Sequence, residues 1–527
     1  NFAQIDQIAI KMGMDLENDK RIRSGIKYAL KLSTNNGHCA VLYENLIQFV
    51  KDLLNVSEVM IENNIIFLKT KNEIVLEDRE NQEWVYLYNY YVAEKNVAES
   101  LIALDNYLNV KEISNFEKKL KKIEKHSDLE LSEKQREAVI AVQEHNVCVI
   151  TGGPGTGKTT IIKTIIEMYK QEEKKVVLCA PTGRAAKRMS EATGEEAKTL
   201  HRLLEIGKTS SDELQNIDPN VEVAPLDADV IIVDEVSMVD IFLMNYLLQA
   251  IYKGTKLVLV GDSNQLPSVG PGNVLKDIIQ SERLTTITLN KIFRQAAKSK
   301  IILNSHKVNE GISIFSKDEQ NENEELLEDF FFINETNKLK VLENIISLCT
   351  GRLEKYGNYT FAQNIQVISP TKKGELGTKE LNKSLQQAIN PESEEKNERK
   401  YIDSVFREGD RIMQIKNNYD IYWEKREPTL EMGKGVFNGE YGTILNIDEV
   451  EKKVKIKFDD DKLVWYNFDE LEQIEHSYCI TVHKAQRKRV RCSYYANSTG
   501  CANVTYSYIA IHCNDKSKKI TYFNWKS

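Results

Sequence analysis

Gly152, Gly157, Lys158 and Thr159 stand in the spacing G-x-x-x-x-G-K-T within "GGPGTGKTT". Glycines at that spacing let backbone N–H groups close around phosphate oxygens, and a following helix adds its positive end. The run Gly152, Gly153, Pro154, Gly155, Thr156, Gly157, Lys158, Thr159 and Thr160 is therefore a candidate polyphosphate cradle. Lys158 would neutralise terminal phosphate charge, and the Thr159 hydroxyl would ligate Mg2+. Asp234 and Glu235 end the apolar run of "DVIIVDE" roughly 75 residues later. There Asp234 would hold the same Mg2+, and Glu235 would orient and deprotonate a water. Gln265, in "GDSNQLP", carries an amide that both donates and accepts, which suits contact with a γ-phosphate and that water. These residue types suit hydrolysis of a nucleoside triphosphate, with ATP and Mg2+ as expected ligands.

Such residues need strand ends to hold them. "NVCVIT", "KVVLCA", "DVIIVDE" and "KLVLVGD" are short apolar runs that stop at glycine or polar residues. Runs of that type are strands of a buried parallel sheet with functional groups at their C-terminal ends. A second series starts near Ile292 and includes "IQVISPT" and "YCITVHKAQ". Two α/β units in tandem are the simplest reading. Between the last two strands, alternation and glycine turns in "GVFNGEYGTILNIDEVEKKVKIKF" suggest a small inserted β-barrel.

Residues 1–115 read as mainly helical. Ile22, Ile26, Ala29 and Leu30 share one face, as do Leu46, Phe49, Val50 and Leu53. "IIFLKT" and "NEIVLED" read as short strands, so this module is either winged-helix-like or a helical packing unit. "NFEKKLKKIEKHSDLELSEKQ" reads as a charged linker.

The chain has 527 residues and a formal net charge of -8, which excludes a wholly basic nucleic-acid binder but allows a local basic groove. No apolar run approaches the roughly 18 residues of a membrane span. The eight cysteines show no metal spacing and read as reduced thiols of a cytoplasmic protein. The first residue, Asn1, falls straight into a helical pattern, so a piece of a longer protein is expected.

The order of the phosphate loop, "APTGRAA", "DEVSM", "GDSNQLP", "FRQA" and "ITVHKAQ" is similar to that of superfamily-one DNA helicases, and in particular their RecD-like branch. "GDSNQLPSVGPGNVL" and "LNKIFRQAAKSKIILNSHKVNEG" carry the RecD-like part of the resemblance. It implies two tandem RecA-like P-loop domains with a helical N-terminal module and an inserted SH3-like β-barrel. The expected boundaries are 1–115 for the module, 116–290 for the first motor domain, 291–401 with 472–486 for the second, and 402–471 for the barrel. The implied activity is ATP-driven 5′→3′ translocation on single-stranded DNA, with strand separation at single/double-strand junctions. No membrane partner is implied.

The resemblance also assigns residues. Gln135 would read the adenine edge, the alternative being a solvated helix residue. Pro181, Thr182 and Gly183 would line the single-strand channel. His201 would lie near DNA, the alternative being a cap or core histidine. Arg294 would reach across the nucleotide cleft. Thr371, Lys372 and Lys373 would hold phosphates. Asn438, Gly439, Glu440 and Gly442 resemble the family's NG-x-x-G stretch. Thr481, His483, Lys484 and Gln486 resemble the segment coupling ATP to DNA.

After Gln486 the family pattern stops. If each codon is read one base downstream, Arg487–Arg491 can spell Gly-Ser-Glu-Cys-Asp, and Ile511–Lys519 can spell Tyr-Thr-Ala-Met-Thr-Arg-Ala-Lys-Lys. Those are the family's continuation, with its second cross-cleft arginine. Residues 487–527 therefore read as an out-of-frame tail, the alternative being a divergent basic one. Two expectations follow. The tail should not pack as the family's last strand–helix–strand. ATP should still bind while hydrolysis is impaired, which leaves an ATP- and strand-binding protein as the alternative function.

Overall fold

Apolar side chains at three- and four-residue spacing bury one side of a helix. Ile22, Ile26, Ala29 and Leu30 do so on α2 (Asp19–Asn35), which follows α1 (Phe2–Lys11). The Arg21 guanidinium binds the Asp6 carboxylate at 2.7 Å and pins the two helices together. The computed structural model describes residues 2–107, 116–127, 130–206, 219, 221, 223–291, 298–313, 330–333, 335, 337–353, 355, 365–426, 430–485, 492–495 and 520–523.

Next come β1 (Ala40–Leu42), α3 (Tyr43–Leu54), α4 (Glu58–Thr70), β2 (Ile74–Arg79) and β3 (Gln82–Leu87), with sheet order β1-β3-β2. A helix, strand, two helices and a hairpin in that order are the arrangement of a winged helix. Two local expectations are corrected. "IIFLKT" is the last part of α4, because Ile61, Ile65 and Leu68 continue one buried helical face begun upstream. On α3 the buried residues are Leu46, Ile47, Val50 and Leu54, so the face is rotated and Phe49 is exposed. A short apolar run is ambiguous in period until its neighbours are placed.

α5 (Tyr88–Asp105) carries the chain to the first α/β domain. The expected linker contains α6 (Phe116–Ser127), which buries Leu120 and Ile123 among its lysines. The charged residues line the solvent side of an amphipathic helix, and two apolar positions suffice to seat it. α7 (Glu133–Glu144) precedes β4 (Val147–Gly152), α8 (Lys158–Lys170), β5 (Val176–Ala180), α9 (Gly183–Thr193), β6 (Ala197–Thr199) and α10 (Leu200–Leu203). β7 (Val230–Val233), α11 (Ile241–Gln249), β8 (Lys256–Gly261), α12 (Val274–Ser281) and β9 (Thr285–Leu289) complete it.

The six strands form a parallel sheet in the order β6-β5-β7-β8-β4-β9, and every residue of β4, β7 and β8 is buried. Val147 and Val149 enter the core on one face, Cys148 and Ile150 the core on the other. Both faces are covered, which is why these strands read as continuous apolar runs. Buried Lys256 donates to the carbonyls of Val142, Gln143 and His145 at 2.8, 3.0 and 2.6 Å, closing the end of α7.

The N-terminal module and this sheet form one compact unit, Asn1–Lys291. Tyr90 on α5 packs edge-on against Phe242 of α11 at 4.9 Å. The Asp105 carboxylate accepts from the Val147 N–H at 3.0 Å, and the Asn146 amide donates to Leu104 O at 3.2 Å and Tyr107 O at 2.6 Å.

The second unit is Ile292–Ser527. It contains α13 (Lys300–Asn309), β10 (Phe331–Phe332), α14 (Lys338–Ser347), β11 (Ile365–Ser369) and α15 (Thr378–Ile389). A ribbon of β12 (Glu398–Tyr401) and β13 (Ser404–Arg407) leads to an antiparallel sheet. That sheet comprises β14 (Arg411–Gln414), β15 (Asn418–Lys425), β16 (Glu431–Val436), β17 (Tyr441–Asp448), β18 (Lys453–Phe458), β19 (Leu463–Asn467) and β20 (Ile474–His476). Its order is β16-β15-β19-β18-β17-β14-β20, and no ladder among the described residues closes it into the expected barrel. A bulge between Ile444 and Asn446 on β17 lets the sheet curl over its core without joining its ends.

β21 (Cys479–Thr481) returns the chain to β11, and α16 (Val482–Ala485) follows. Of the tail, whose packing was expected to fail, the described residues form two strands, and the segment between them lies outside the described residues. β22 (Cys492–Tyr495) and β23 (Ile520–Phe523) join β11 in a parallel sheet of order β10-β23-β22-β11-β21. Ladder hydrogen bonds use main-chain groups, and Tyr, Ile, Thr and Phe are strand formers, which suits both segments to this sheet.

One buried carboxylate ties the inserted sheet to its host. Asp410 accepts from Gln386 Nε2 at 2.6 Å, Asn390 Nδ2 at 2.7 Å, Arg407 N at 2.8 Å, Tyr478 Oη at 2.9 Å and His476 Nε2 at 3.0 Å. Donors from α15, from the chain entering the sheet and from the chain leaving it thus meet on one group.

Candidate nucleotide site and strand-contact residues

β4 ends at Gly152, where an added Cβ would lie 2.8 Å from Thr156 Oγ1 and 2.9 Å from Leu289 Cβ, so only glycine fits. The turn then needs positive φ at Gly155 (78°) and Gly157 (82°), the left-handed region open to glycine at no steric cost. Thr156 Oγ1 donates to Gly153 O at 2.8 Å, so the loop is preformed by its own bonds. Lys158 opens α8 and folds back, its Nζ donating to Gly152 O at 2.5 Å and Gly153 O at 3.1 Å. An incoming phosphate offers that ammonium charged acceptors in place of neutral carbonyls.

Gln135 is neither solvated nor free-standing. It is buried, its Oε1 accepts from the Ser132 N–H at 2.9 Å, and its Nε2 donates to Thr156 O at 3.3 Å. Ser132 caps the same helix in return, so a capping box on α7 steadies the phosphate loop.

Asp234 and Glu235 follow β7. The Asp234 N–H bonds Cys179 O on β5 at 2.9 Å, and Asp234 Oδ1 accepts from the Glu235 N–H at 2.8 Å. Glu235 sits at φ 59°, a left-handed conformation that costs a non-glycine residue about 1–3 kcal/mol and that recurs at functional sites. After β8, buried Asp262 accepts from the Asn264 N–H at 3.0 Å and from Gln265 Nε2 at 3.4 Å. Burial pushes the Asp262 carboxyl up from its ordinary pKa, while Lys158 pulls it down and Glu235 pushes it up. Lys158 and Glu235 thus each act electrostatically on Asp262. Asp262 was not among the residues expected to carry chemistry. The signal was its place directly after the strand and three residues before Gln265.

β7, β8 and β4 are neighbours, with β5 beside β7. Because all run parallel, Asp234, Asp262, Gly152 and Pro181 leave the sheet on one edge. Thr182 caps α9 by accepting from the Ala185 N–H at 3.3 Å, and Gly183 is the first helical residue. His201 lies farther along, past β6 in α10. It is half-buried, and burial holds its pKa below the ordinary histidine value against the opposing influence of Asp240.

In the second unit, Ser369 and Thr481 are paired ends of β11 and β21. Thr371, Lys372 and Lys373 follow the first and α16 follows the second, so both groups leave one sheet edge. Lys372 and Lys373 are exposed. Thr481 Oγ1 accepts from the Lys484 N–H at 3.4 Å, and Lys484 Nζ pairs with Glu475 at 2.6 Å. Asn438 lies in the turn before β17, its N–H donating to Asn417 Oδ1 at 2.9 Å, with Gly439 at φ 91° beside it. That turn belongs to the inserted sheet. Arg294, Gln486 and the His483 side chain lie outside the described residues.

Residues 135–271 match the family described as AAA domain, 381–458 the ATP-dependent RecD-like DNA helicase SH3 domain, and 1–40 the ATP-dependent RecD2 DNA helicase HHH domain. The RecBCD enzyme subunit RecD of Buchnera aphidicola subsp. Schizaphis graminum is 30% identical over 76% of this chain and 73% of its own length. The chain belongs to the RecD-like helicase family. The ATP-dependent RecD2 DNA helicase of Deinococcus radiodurans is 33% identical over 68% of the chain and 44% of that protein, so this RecD-like chain spans under half of that relative. A Pif1 helicase from Bacteroides, in complex with ADP-AlF3 and ssDNA, aligns over 76% of the chain and 94% of its own at 16% identity and a TM-score of 0.40. In this family member the AAA match takes in Lys158, Asp234, Glu235 and Gln265 together. No described helix is long and apolar enough to cross a membrane.

Proposed function

We propose that this chain is the motor portion of an ATP-dependent DNA helicase that translocates 5′→3′ on single-stranded DNA. The convergence of the phosphate loop, Asp234–Glu235 and the Asp262–Gln265 pair on one edge of one parallel sheet carries the reading. In it the loop from Gly152 to Thr160 wraps the ATP phosphates, and Lys158 moves from its carbonyls to the γ-phosphate. Thr159 and Asp234 are hard oxygen donors, which fits Mg2+ with its remaining positions left to water and phosphate. Bound there, Mg2+ would neutralise charge on the transferred phosphoryl group. Glu235 takes the proton from the attacking water, and Gln265, held by Asp262, positions it. Gln135 reads the adenine only if it gives up its hold on Ser132 or Thr156, so support of the loop is its first role.

Pro181, Thr182, Gly183 and His201 form one set of strand contacts; Thr371, Lys372, Asn438, Thr481 and His483 form the other. Arg294 supplies charge to the γ-phosphate from the second motor domain. The substrates in this reading are single strands and single/double-strand junctions, and the setting is the cytoplasm. Similarity to the Deinococcus ATP-dependent RecD2 DNA helicase supports it.

A second reading rests on the residues after Ala485. The tail carries no arginine in a family-like Y-T-A-x-T-R-A-K segment, so the chain would bind ATP and strands with little turnover. ATPase assays with and without single-stranded DNA, followed by unwinding of 5′- and 3′-tailed duplexes, separate the two. Strand-stimulated hydrolysis with unwinding of the 5′-tailed duplex supports the motor. Nucleotide binding without hydrolysis supports the second reading, and no nucleotide binding refutes both.

A further inference from the structure

The outward face of the inserted antiparallel sheet carries a row of side chains that the proposed motor does not use. Tyr422 on β15 stands opposite Lys434 on β16, and Lys455 on β18 stands opposite Trp465 on β19. β15 and β19 pair with Trp423 opposite Val464, a register that sets Tyr422 opposite Trp465. The four residues therefore run straight across four strands as Lys434, Tyr422, Trp465, Lys455. Directly opposite side chains in a sheet lie about 5 Å apart at Cβ, so the two rings are neighbours.

The row faces water. Tyr422 is 66% exposed and Trp465 41% exposed, while the flanking Ile421, Val464 and Tyr466 are buried. Lys434 Nζ lies 4.4 Å from the Tyr422 ring centroid, and Lys455 Nζ lies 5.1 Å from that of Trp465. One row away, exposed Met432 extends the apolar surface, and Lys457 adds charge although Asp461 pairs with it at 3.0 Å. Glu424 on the same face is taken up by Arg426 at 2.7 Å, and Asp420 acts electrostatically on Lys434.

Two neighbouring exposed rings with Met432 beside them and lysines at their rim make one contiguous patch of the kind that marks an interaction site. We propose that this row is a stacking platform for single-stranded nucleic acid. Bases stack on the Tyr422 and Trp465 rings, and the flanking lysines meet the phosphates on either side. A polyanion satisfies the lysines, and a polyanion with flat bases also covers the rings. An acidic peptide uses only the charge. The platform adds a strand site to the motor reading and lies on a different element from the parallel-sheet edges.

The test is equilibrium binding of an oligo(dT) to the full chain without nucleotide, read by tryptophan fluorescence and anisotropy. The double variant Tyr422→Ala/Trp465→Ala is expected to bind roughly ten-fold more weakly or worse. The pair Lys434→Gln/Lys455→Gln is expected to lower the slope of log K against log salt by about 1.4. Trp465→Phe should keep affinity but lose part of the fluorescence quench, which controls for misfolding. Unchanged affinity in both doubles overturns the platform. So does equal competition by poly-glutamate, which marks an acidic-peptide surface, or sedimentation showing that the ring variants abolish a dimer. Strand-stimulated ATPase with unaffected ring variants leaves the motor standing without the platform. Weakened ring variants in a chain whose ATPase ignores DNA leave the platform standing without the motor.

Discussion

The two parallel sheets of this chain were built under different constraints. In the first, β4, β7 and β8 are buried at every position, covered on both faces, and each leads into a residue with chemistry to offer. In the second, β11 is buried at every position and β21 at Cys479 and Ile480, while β22 and β23 are joined to β11 through the backbone ladder. The first sheet teaches that apolar strands plus polar ends assemble a site on one edge. The second teaches that backbone pairing alone can add strands to a parallel sheet.

The largest expected effect strikes the first sheet. Glu235→Gln should lower ATP turnover by roughly 10³-fold while a fluorescent ATP analogue still binds, because the amide cannot accept the proton. Turnover near that of the parent chain would remove Glu235 from the hydrolytic role and leave the contrast between the sheets without its basis.

The second sheet gives the complementary experiment. Replacing the residues after Gln486 by the one-base-shifted reading should raise strand-stimulated ATPase by roughly 10³-fold, the scale of a restored cross-cleft arginine. Independent gene reads showing an uninterrupted frame, or a restored chain that is no faster, would make the tail a genuine variant.

Stability distinguishes the units next. Asp410→Ala should lower the stability of the second unit by about 3 kcal/mol, because it leaves several buried donors without an acceptor. The first unit's unfolding transition should not move in a denaturant melt. Burial alone would raise the Asp410 carboxyl, but the bonds and charge from His476, with Asn390 and the Arg407 N–H, hold it below the usual carboxylate range. A depressed folded pKa contributes stability that is present above the ordinary carboxylate pKa near 4 and lost as pH falls through the folded value. Acid unfolding of the second unit should therefore lose its dependence on Asp410 below about pH 4. A cost of Asp410→Ala that stays the same or grows as pH falls below about 4 would contradict that linkage.

The smallest expected shift is in the stability of Asp262→Asn. Burial disfavours the Asp262 carboxylate, so an amide should leave stability unchanged or raise it by up to about 1 kcal/mol while turnover falls. A loss of both together would make Asp262 a structural residue only.

Much of the first site was legible in residue order. A glycine loop, an acidic pair and a glutamine, each closing an apolar run, can meet only where parallel strands end together. The double hold of Gln135 was not legible, because it depends on which distant groups the fold buries together, and Asp262 had only its place after an apolar run to mark it. The amphipathic α6 hid inside a run of lysines, although Phe116, Leu120 and Ile123 stand at helical spacing within it. Phe49 changed sides because the helix face is set by the neighbours it packs against, not by composition.

By itself the amino-acid order determined the phosphate loop, the strand runs, the two motor-type units and the inserted β segment, because periodicity and glycine placement are local properties of the chain. The tertiary structure alone decided the five-donor hub on Asp410, the Lys-Tyr-Trp-Lys row and the pairing of the tail strands. Those depend on strand register and on contacts between residues far apart in the chain, and neither is written in any local pattern.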